Sequence, residues 1–378
     1  MIEPTEAEPV DRFRDELRTW LDDHLTADVV EAAHGVMGDE AHLPTLRSWN
    51  AVLADGRWAA PSWPTEHGGR AATVDQQVAY LEEMNRVRAP GPVNVIGVSN
   101  IAPAIMHYGT EQQQERFLQP MLRGGEIWSQ GMSEPDAGSD LAALRTSAVE
   151  VGGEFLVNGQ KTWNSLGHLA DWCQLYVRTD PAAPKHQGIT CFLVDMRTPG
   201  IEARPLRTIT GDHSFAELFL TDVRVPRSGM LGELHQGWKV ARTTLSFERA
   251  GVARLHLMLS NKLHDLLADP RVGPALRDRR LRDRVARIHS QIACMRWLTE
   301  RGLADPTAHR GAGGSLSKLS WSAIDQQLGS LALDVLGMDG LTGRWADNVV
   351  SVRQSSIAGG TTEINRNIVA EHVLGLPR

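Results

Sequence analysis

The first third of the chain carries its apolar residues at helical spacing. From Phe13 to Leu25 they recur at three- and four-residue steps, which is typical of a helix with one apolar face. The same spacing predicts further helices over residues 73–87 and 112–122. We therefore predict an N-terminal α-helical domain over residues 1–122.

The hydrophobic period shortens in the middle of the chain. Runs such as WCQLYVRT, GITCFLVDM and SFAELFLTDVRVP are short, apolar and bounded by Gly, Pro or Asp, as β-strands are. Asn158-Gly159 stands between two further short runs, and Asn-Gly pairs favour the tight turn of a β-hairpin. The pattern predicts an antiparallel β domain over residues 123–232, with a hairpin turn at Asn158-Gly159.

From Gly237 onward the spacing is helical again. Ile324, Leu328 and Leu331 follow one another by four and three residues, as in helix bundles. Residues 233–378 are therefore predicted to form a C-terminal four-helix bundle. The order of helical, β and helical parts predicts an α+β fold.

Composition excludes several classes of protein. The net charge of −7 argues against binding along a nucleic-acid backbone, which requires a basic face. No apolar run approaches the roughly 18 residues that a membrane span requires. Cys173, Cys191 and Cys294 are too few and too scattered for a disulfide framework or a cysteine metal site. With no signal peptide visible, we expect a cytoplasmic protein without a metal ion.

Two segments of the predicted β domain carry candidate binding residues. Residues 131–140 read GMSEPDAGSD, and their small residues let a ligand approach backbone amide donors. Residues 159–165 read GQKTWNS, where a large flat ring precedes small donors and suits a planar heterocycle. Taken singly, the first segment is more often a polar surface loop than a site, and the second is about as often a packed Trp at a strand end.

Glu248 falls on an otherwise apolar helix face. At about 100° per residue, the same narrow face carries Leu245, Val252, Leu255 and Leu259. A carboxylate in such a place is costly unless it is paired or functional, and burial would raise its pKa towards the range of a general base. Arg249 adjoins Glu248, so a structural Glu–Arg pair is an equally good interpretation.

A glycine-rich turn precedes the last predicted helix. Ala358-Gly359-Gly360-Thr361-Thr362 leads into EINRNIVAEHVL, with Thr as a possible helix cap. Free amides and the helix dipole point the same way at such a terminus, which favours an anion.

In their order and spacing these four segments resemble the acyl-CoA dehydrogenase family. The likeness covers nearly the whole chain, including IMHYGTEQQQERFLQPMLRGGEIWSQGMSEPDAGSDLAALRT and GGTTEINRNIVAEHVLGLPR. The resemblance implies an acyl-CoA dehydrogenase-like fold with FAD held between the domains. A glutamate would remove the α proton of an acyl-CoA, and the β hydrogen would leave as hydride to flavin N5, giving a trans-2-enoyl-CoA. An electron-transfer flavoprotein would accept the electrons.

The resemblance also implies roles for individual residues. Ser139 would approach the CoA moiety as well as the cofactor, and the Gly359 N–H would polarise the thioester carbonyl. The residues that match the family's FAD-binding segments are Gln130, Met132, Ser133, Ser139, Trp163, Asn164, Ser165, Gly360, Thr361, Thr362 and Glu363.

The position of the base departs from the commoner family pattern. Many members carry a glutamate immediately before the last glycine of the turn, where this chain has Ala358-Gly359. Other members carry the base on the preceding helix in a Leu-x-x-Glu-Arg setting, which LSFERAG matches. The catalytic residues implied are therefore Glu248, as α-proton base, and Arg249 beside it. In this FERAG setting the chain is closest in style to actinobacterial members of the family.

The resemblance leaves alternatives for both the subunit arrangement and the type of reaction. The family's Arg-Gln-Phe-Gly-like run, which contacts a neighbouring subunit's FAD, is not reproduced by DPRVGPALRDRRLRD. The chain thus matches either a homo-oligomer or a heterotetramer with a related subunit, as in members that act on steroid side chains. A flavin oxidase or monooxygenase on the same fold, and a non-catalytic partner subunit, are the alternative functions.

Overall fold

The computed structural model describes residues 9–33, 39–250, 255–304 and 313–377, with the backbone alone for 247–250 and 303–304. These residues form two compact units, which divide between Phe247 and Glu248. The first unit contains the N-terminal helices, the β domain and residues 237–247 of the helix that follows, and the second contains the later C-terminal helices. The predicted domain boundaries near residues 122 and 232 stay predictions.

The N-terminal part is helical, as predicted. Thr73 and Thr110 begin two of its helices with capping boxes, in which the threonine hydroxyl and a glutamine three residues later satisfy free backbone groups. The predicted helices at 73–87 and 112–122 are confirmed. The helices are α1 (Val10–His24), α2 (Ala27–Ala32), α3 (Leu43–Asp55), α4 (Val74–Arg86), α5 (Ala102–Tyr108) and α6 (Glu111–Leu122).

A buried carboxylate joins α1 to α4. Glu83 is only 2% exposed, and it accepts hydrogen bonds from Arg14 at 2.7 Å, from Arg18 at 2.9 Å and from Arg86 at 2.8 Å. Burial alone would raise the pKa of Glu83, but the hydrogen bonds from the arginines outweigh it and lower the pKa from 4.5 to about 2. The folded state therefore favours the ionised form of Glu83.

Replacing Glu83 with glutamine is expected to destabilise the first unit by about 2 kcal/mol at neutral pH, because charge-assisted hydrogen bonds are lost. Since the folded pKa is depressed, the stabilisation is complete above about pH 4.5 and disappears as the pH falls towards 2. The difference in thermal midpoint between the wild type and the variant should thus become smaller as the pH is lowered. Glu202→Gln is the control, because its pair with Arg204 is exposed; equal losses in both variants would contradict the prediction.

The middle of the chain forms one mainly antiparallel sheet. Its strand order is β6-β7-β3-β2-β4-β5-β8, and β1 pairs in parallel with β4. The strands are β1 (Trp128–Gly131), β2 (Ser147–Val151), β3 (Glu154–Ser165), β4 (Trp172–Arg178), β5 (Ile189–Asp195), β6 (Ile201–Leu206), β7 (Phe215–Pro226) and β8 (Met230–Leu231).

The predicted hairpin turn at Asn158-Gly159 is wrong. Both residues lie inside β3, and the turn between β2 and β3 is made by Gly152 and Gly153, whose φ angles are 63° and 87°. The register of β3 against β7 shifts between Val157 and Gly159. Gly159 therefore lies at an irregularity within a strand, which is a common place for glycine in a β-strand.

The C-terminal unit is a helical bundle, as predicted. Ile324, Leu328 and Leu331 are buried on α11 and belong to one apolar core with α8 and α10. Among the described helices, none is both long and apolar enough to cross a membrane. The remaining helices are α7 (Gly237–Ala250), α8 (Leu255–Ala268), α9 (Val272–Ala275), α10 (Arg279–Ala304), α11 (Gly313–Leu336), α12 (Arg344–Ser351) and α13 (Thr362–Ile368).

Candidate active site

The two binding segments predicted in the β domain lie side by side in the first unit. The Asn164 side-chain amide donates to the Gln130 carbonyl at 2.6 Å, and the Ser129 hydroxyl donates to the Ser165 carbonyl at 2.8 Å. These bonds join the strand β1 directly to the end of β3. Residues that are more than 30 positions apart in sequence thus form one continuous surface.

Trp163 has an unusual backbone conformation and an exposed side chain. Its φ is +60°, in the left-handed region that costs energy for a bulky residue. The register of β3 shifts between Lys161 and Asn164, so the strand bulges where Trp163 stands. The side chain is 62% exposed, and its ring packs edge to face with that of Phe215, with 5.9 Å between the ring centroids. The second segment therefore presents an exposed, flat apolar ring.

Two polar atoms at this junction are buried without a hydrogen-bond partner. They are Nε2 of Gln130, a donor, and Oδ1 of Asn164, an acceptor. Buried polar groups are normally paired, so these two atoms are unusual. Each has hydrogen-bonding capacity that the described residues do not use.

A buried ion pair lies beneath the same junction. Lys161 is fully buried, and its ammonium donates to Oε1 of Glu134 at 2.8 Å and to the Met132 carbonyl at 3.1 Å. Burial alone would raise the pKa of Glu134, but the Lys161 charge and the hydrogen bonds from Lys161 and Thr146 hold it below its usual range. Glu134 is therefore ionised at neutral pH.

Ser139 follows this junction at the surface. The next residue, Asp140, forms an exposed ion pair with Lys185 at 2.7 Å. Lys185 lines a cavity of about 820 Å³ whose other basic and polar wall residues include Arg145, Arg178 and His235. The Arg178 guanidinium is engaged in hydrogen bonds to backbone carbonyls of both flanking loops. The chain after Ser139 thus opens onto a basic recess.

Side-chain contacts fix the helix that carries Glu248 about one turn before that residue. The Thr244 hydroxyl is fully buried and lies 3.3 Å from the Gln174 amide and 3.2 Å from the Tyr176 hydroxyl on β4. The backbone of Glu248 and Arg249 belongs to α7, while their side chains lie outside the described residues, as does Val252. The apolar stripe predicted around Glu248 therefore stays a prediction.

The C-terminal glycine turn is built in the second unit. Gly359 and Gly360 have φ angles of 64° and 88°, which only glycine adopts readily. The Gly360 carbonyl accepts hydrogen bonds from Asn365 at 2.8 Å and from buried Lys318 at 3.3 Å. The Thr361 hydroxyl caps α13 by accepting from the backbone of Ile364, as predicted.

The structure thus joins some of the predicted residues and leaves others apart. Gln130, Met132, Ser133, Trp163, Asn164 and Ser165 stand together in the first unit, whereas Gly359, Gly360, Thr361, Thr362 and Glu363 belong to the second. The proximity of the second group to the first stays a prediction. No cluster of three or more His, Cys, Asp or Glu side chains suited to a metal ion occurs within the described ranges.

Sequence reasoning missed the residues that support this surface. Glu134 and Lys161 stand inside the two predicted segments, yet nothing in their local pattern shows that they are buried against each other. Lys318, which supports the glycine turn in the second unit, lies 42 positions before Gly360 of that turn in sequence. The available signal was a lysine within the β run that leads to Trp163, a position where an apolar residue is commoner.

Comparisons with known proteins match the whole chain. Family models of the N-terminal, middle and C-terminal domains of acyl-CoA dehydrogenases match residues 8–125, 129–223 and 235–374. Acyl-CoA dehydrogenase IpdE1 of Mycobacterium tuberculosis is 37% identical over 380 residues, which cover 98% of this chain and 98% of that protein.

Solved structures agree with the sequence comparisons. The Tcur3481-Tcur3483 steroid ACAD is 29% identical, with a TM-score of 0.87 over 99% of this chain and 100% of that one. The ChsE4-ChsE5 complex from Mycobacterium tuberculosis is 28% identical, with a TM-score of 0.81 over 100% of both chains. The fold and the three family models together define an acyl-CoA dehydrogenase of the α+β type. The chain belongs to the acyl-CoA dehydrogenase family.

Proposed function

We propose that the chain is the base-bearing subunit of an FAD-dependent dehydrogenase that converts an acyl-CoA into its trans-2-enoyl-CoA. The observation that carries the proposal is the junction in the first unit, where exposed Trp163 has a left-handed backbone conformation and Nε2 of Gln130 and Oδ1 of Asn164 are buried without a hydrogen-bond partner. A flavin has the flat ring and the polar edge that this junction fits. Family membership over the full chain supports the same reaction.

The chain supplies the groups that bind the cofactor and move the proton. Glu248 takes the α proton as general base, and Arg249 is its supporting neighbour. The Gly359 N–H polarises the thioester carbonyl, which makes the α proton more acidic. When bound, the flavin would accept the β hydrogen of the substrate as a hydride. The residues assigned to FAD are Gln130, Met132, Ser133, Ser139, Trp163, Asn164, Ser165, Gly360, Thr361, Thr362 and Glu363.

The substrate is proposed to be a CoA thioester with a bulky, steroid-derived acyl group. Ala358 and Gly359 are small where many family members carry Tyr and Glu, and small residues leave room for a wide acyl chain. One of the similar solved structures is titled a steroid ACAD. Ser139 contacts the CoA moiety, and the basic recess of Arg145 and Lys185 suits its phosphates.

The assembly is proposed to be a heterotetramer with a related subunit. The chain lacks the run through which family members reach a neighbouring subunit's FAD, and two of the similar structures are titled as two-component assemblies. The partner would then supply those FAD contacts. An electron-transfer flavoprotein is the proposed electron acceptor.

Anaerobic titration of the purified assembly with a panel of short, long, branched and steroid acyl-CoA substrates tests the proposal. We expect flavin bleaching with the bulky substrates and no peroxide after air is readmitted. Stoichiometric peroxide would indicate an oxidase instead. An assembly that contains FAD yet turns over equally well after Glu248 is replaced would make this chain the non-catalytic subunit.

The conformation of Trp163 leads to a separate prediction. Trp163→Gly is expected to raise or preserve the thermal midpoint of the flavin-free protein, because glycine relieves about 1 kcal/mol of left-handed strain. It should weaken FAD binding by about tenfold, because ring contact is lost. Arg57→Gly is the control, since exposed Arg57 also has a φ of 60° but lies on the helical part. Unchanged FAD affinity in Trp163→Gly would contradict the assignment.

A further inference from the structure

Three consecutive residues of the loop after β1 are held by two consecutive residues of β3. The ammonium of Lys161 donates to the Met132 carbonyl at 3.1 Å and to the Glu134 carboxylate at 2.8 Å. The backbone N–H of Thr162 donates to the Ser133 carbonyl at 2.9 Å. The loop segment predicted to face a ligand is thus fastened immediately before Trp163.

The Glu134 carboxylate is fully used in this arrangement. Its second oxygen, Oε2, accepts from the backbone N–H of Arg145 at 2.6 Å, while Oε1 also accepts from the backbone N–H of Thr146 at 2.9 Å. The carboxylate therefore fixes the loop against the start of β2 as well as against β3. Lys161 is 0% exposed and Glu134 is 8% exposed, so water does not compete for these bonds.

Such a pair is a poor device for stability alone. Burying an ammonium and a carboxylate costs several kcal/mol for each ion, and apolar residues of similar volume commonly stabilise as well or better. What a charge-assisted pair adds is direction, because each donor and acceptor accepts a narrow range of geometry. The burial of Lys161 and Glu134 is therefore explained best by a need for a defined loop position.

Lys161 also sets the direction of one peptide group. A trans peptide places its C=O and N–H on opposite sides. Because the Met132 carbonyl points at the Lys161 ammonium, the N–H of Ser133 points away from Lys161. The Ser133 N–H and hydroxyl are therefore the groups at this point of the loop that a ligand edge can use.

We infer that Lys161, with Glu134 as its charge partner, is a positioning residue for the cofactor: it orients the Met132–Ser133 peptide and holds it beside Trp163. This inference rests on the proposed binding of FAD. It adds a pair of residues that act on the cofactor through the loop and not by contact.

Two variants separate positioning from stability. Lys161→Met leaves Glu134 as a buried, uncompensated charge, and it should lower both the thermal midpoint of the flavin-free protein and the affinity for FAD. The double variant K161M/E134Q removes both charges, so its thermal midpoint should recover most of the way. Its Met132 carbonyl still lacks a donor, and FAD affinity should stay about tenfold or more below wild type.

The readouts are the FAD dissociation constant, the flavin absorbance band and the thermal midpoint without flavin. We expect a shifted flavin band in K161M/E134Q despite the recovered midpoint. Arg224→Met is the matched control, because its pair with Glu154 in the same β domain is exposed, and it should bind FAD as wild type does. The inference would be overturned if FAD affinity changed in parallel with the thermal midpoint across the variants. It would also be overturned if K161M/E134Q had the flavin band and FAD affinity of the wild type.

The result also distinguishes this inference from the proposed function. A wild-type assembly that binds no FAD would overturn the proposed function and this inference with it. A wild-type assembly that binds FAD, together with a K161M/E134Q variant that binds it equally well, would overturn the positioning role of Lys161 alone.

Discussion

Glu248→Gln is expected to slow flavin reduction by acyl-CoA by about 10³-fold or more while FAD stays bound. Glutamine has the size of glutamate but cannot accept the α proton, and general-base catalysis is worth about 10²–10⁴-fold. Rapid-mixing measurement of flavin bleaching under anaerobic conditions gives the rate of this step directly. The loss should appear in kcat and in kcat/KM, because the missing interaction belongs to the transition state.

The control for Glu248 is Glu233→Gln, which removes an exposed carboxylate just before α7. It should reduce its flavin at the wild-type rate. A Glu248→Gln rate within tenfold of wild type would remove Glu248 from the role of base. Arg249→Gln should give a smaller loss than Glu248→Gln, because Arg249 supports the base and takes no proton itself.

Gly159→Ala is expected to destabilise the first unit by about 2–5 kcal/mol. A Cβ at this position would lie 2.7 Å from Thr146 Cα and 2.6 Å from Thr146 Oγ1, and Gly159 has a φ of +152°. Both the steric overlap and the backbone conformation oppose any side chain. The thermal midpoint should fall by roughly 5–10 °C.

Gly91→Ala is the matched control, because a Cβ at Gly91 meets no atom within 4 Å and its φ is not positive. It should leave the thermal midpoint within about one degree of wild type. A Gly159→Ala variant as stable as Gly91→Ala would mean that β2 and β3 separate at little cost. FAD binding should weaken along with stability in Gly159→Ala, since β3 leads directly to Trp163.

Hydrophobic spacing predicted the helical and β parts because those periods follow from burial of one face of each element. Long amphipathic helices such as α4 and α11 were therefore found from sequence. The Asn158-Gly159 turn was not, because an Asn-Gly pair has the same local signature in a turn and in a bulge. The pairing of β3 with β7 and the contact with Thr146, just before β2, decide between them.

The candidate site likewise contains residues that the sequence predicted and residues that it did not. Trp163 and the loop at Met132 were predicted because their residue types are unusual and suit a ligand. Glu134 and Lys161 were not predicted, because their function depends on a contact between residues 27 positions apart. Their burial results from the packing of the folded sheet, so the local sequence pattern does not predict it.

The buried pair of Lys161 and Glu134 also limits how this protein can evolve. A change of one partner leaves a charge inside the β domain, which is far more costly than a change of both. Intermediates with a single replacement are therefore disfavoured by selection. Related chains are expected to keep both residues or to replace both, so that the two positions vary together across the lineage.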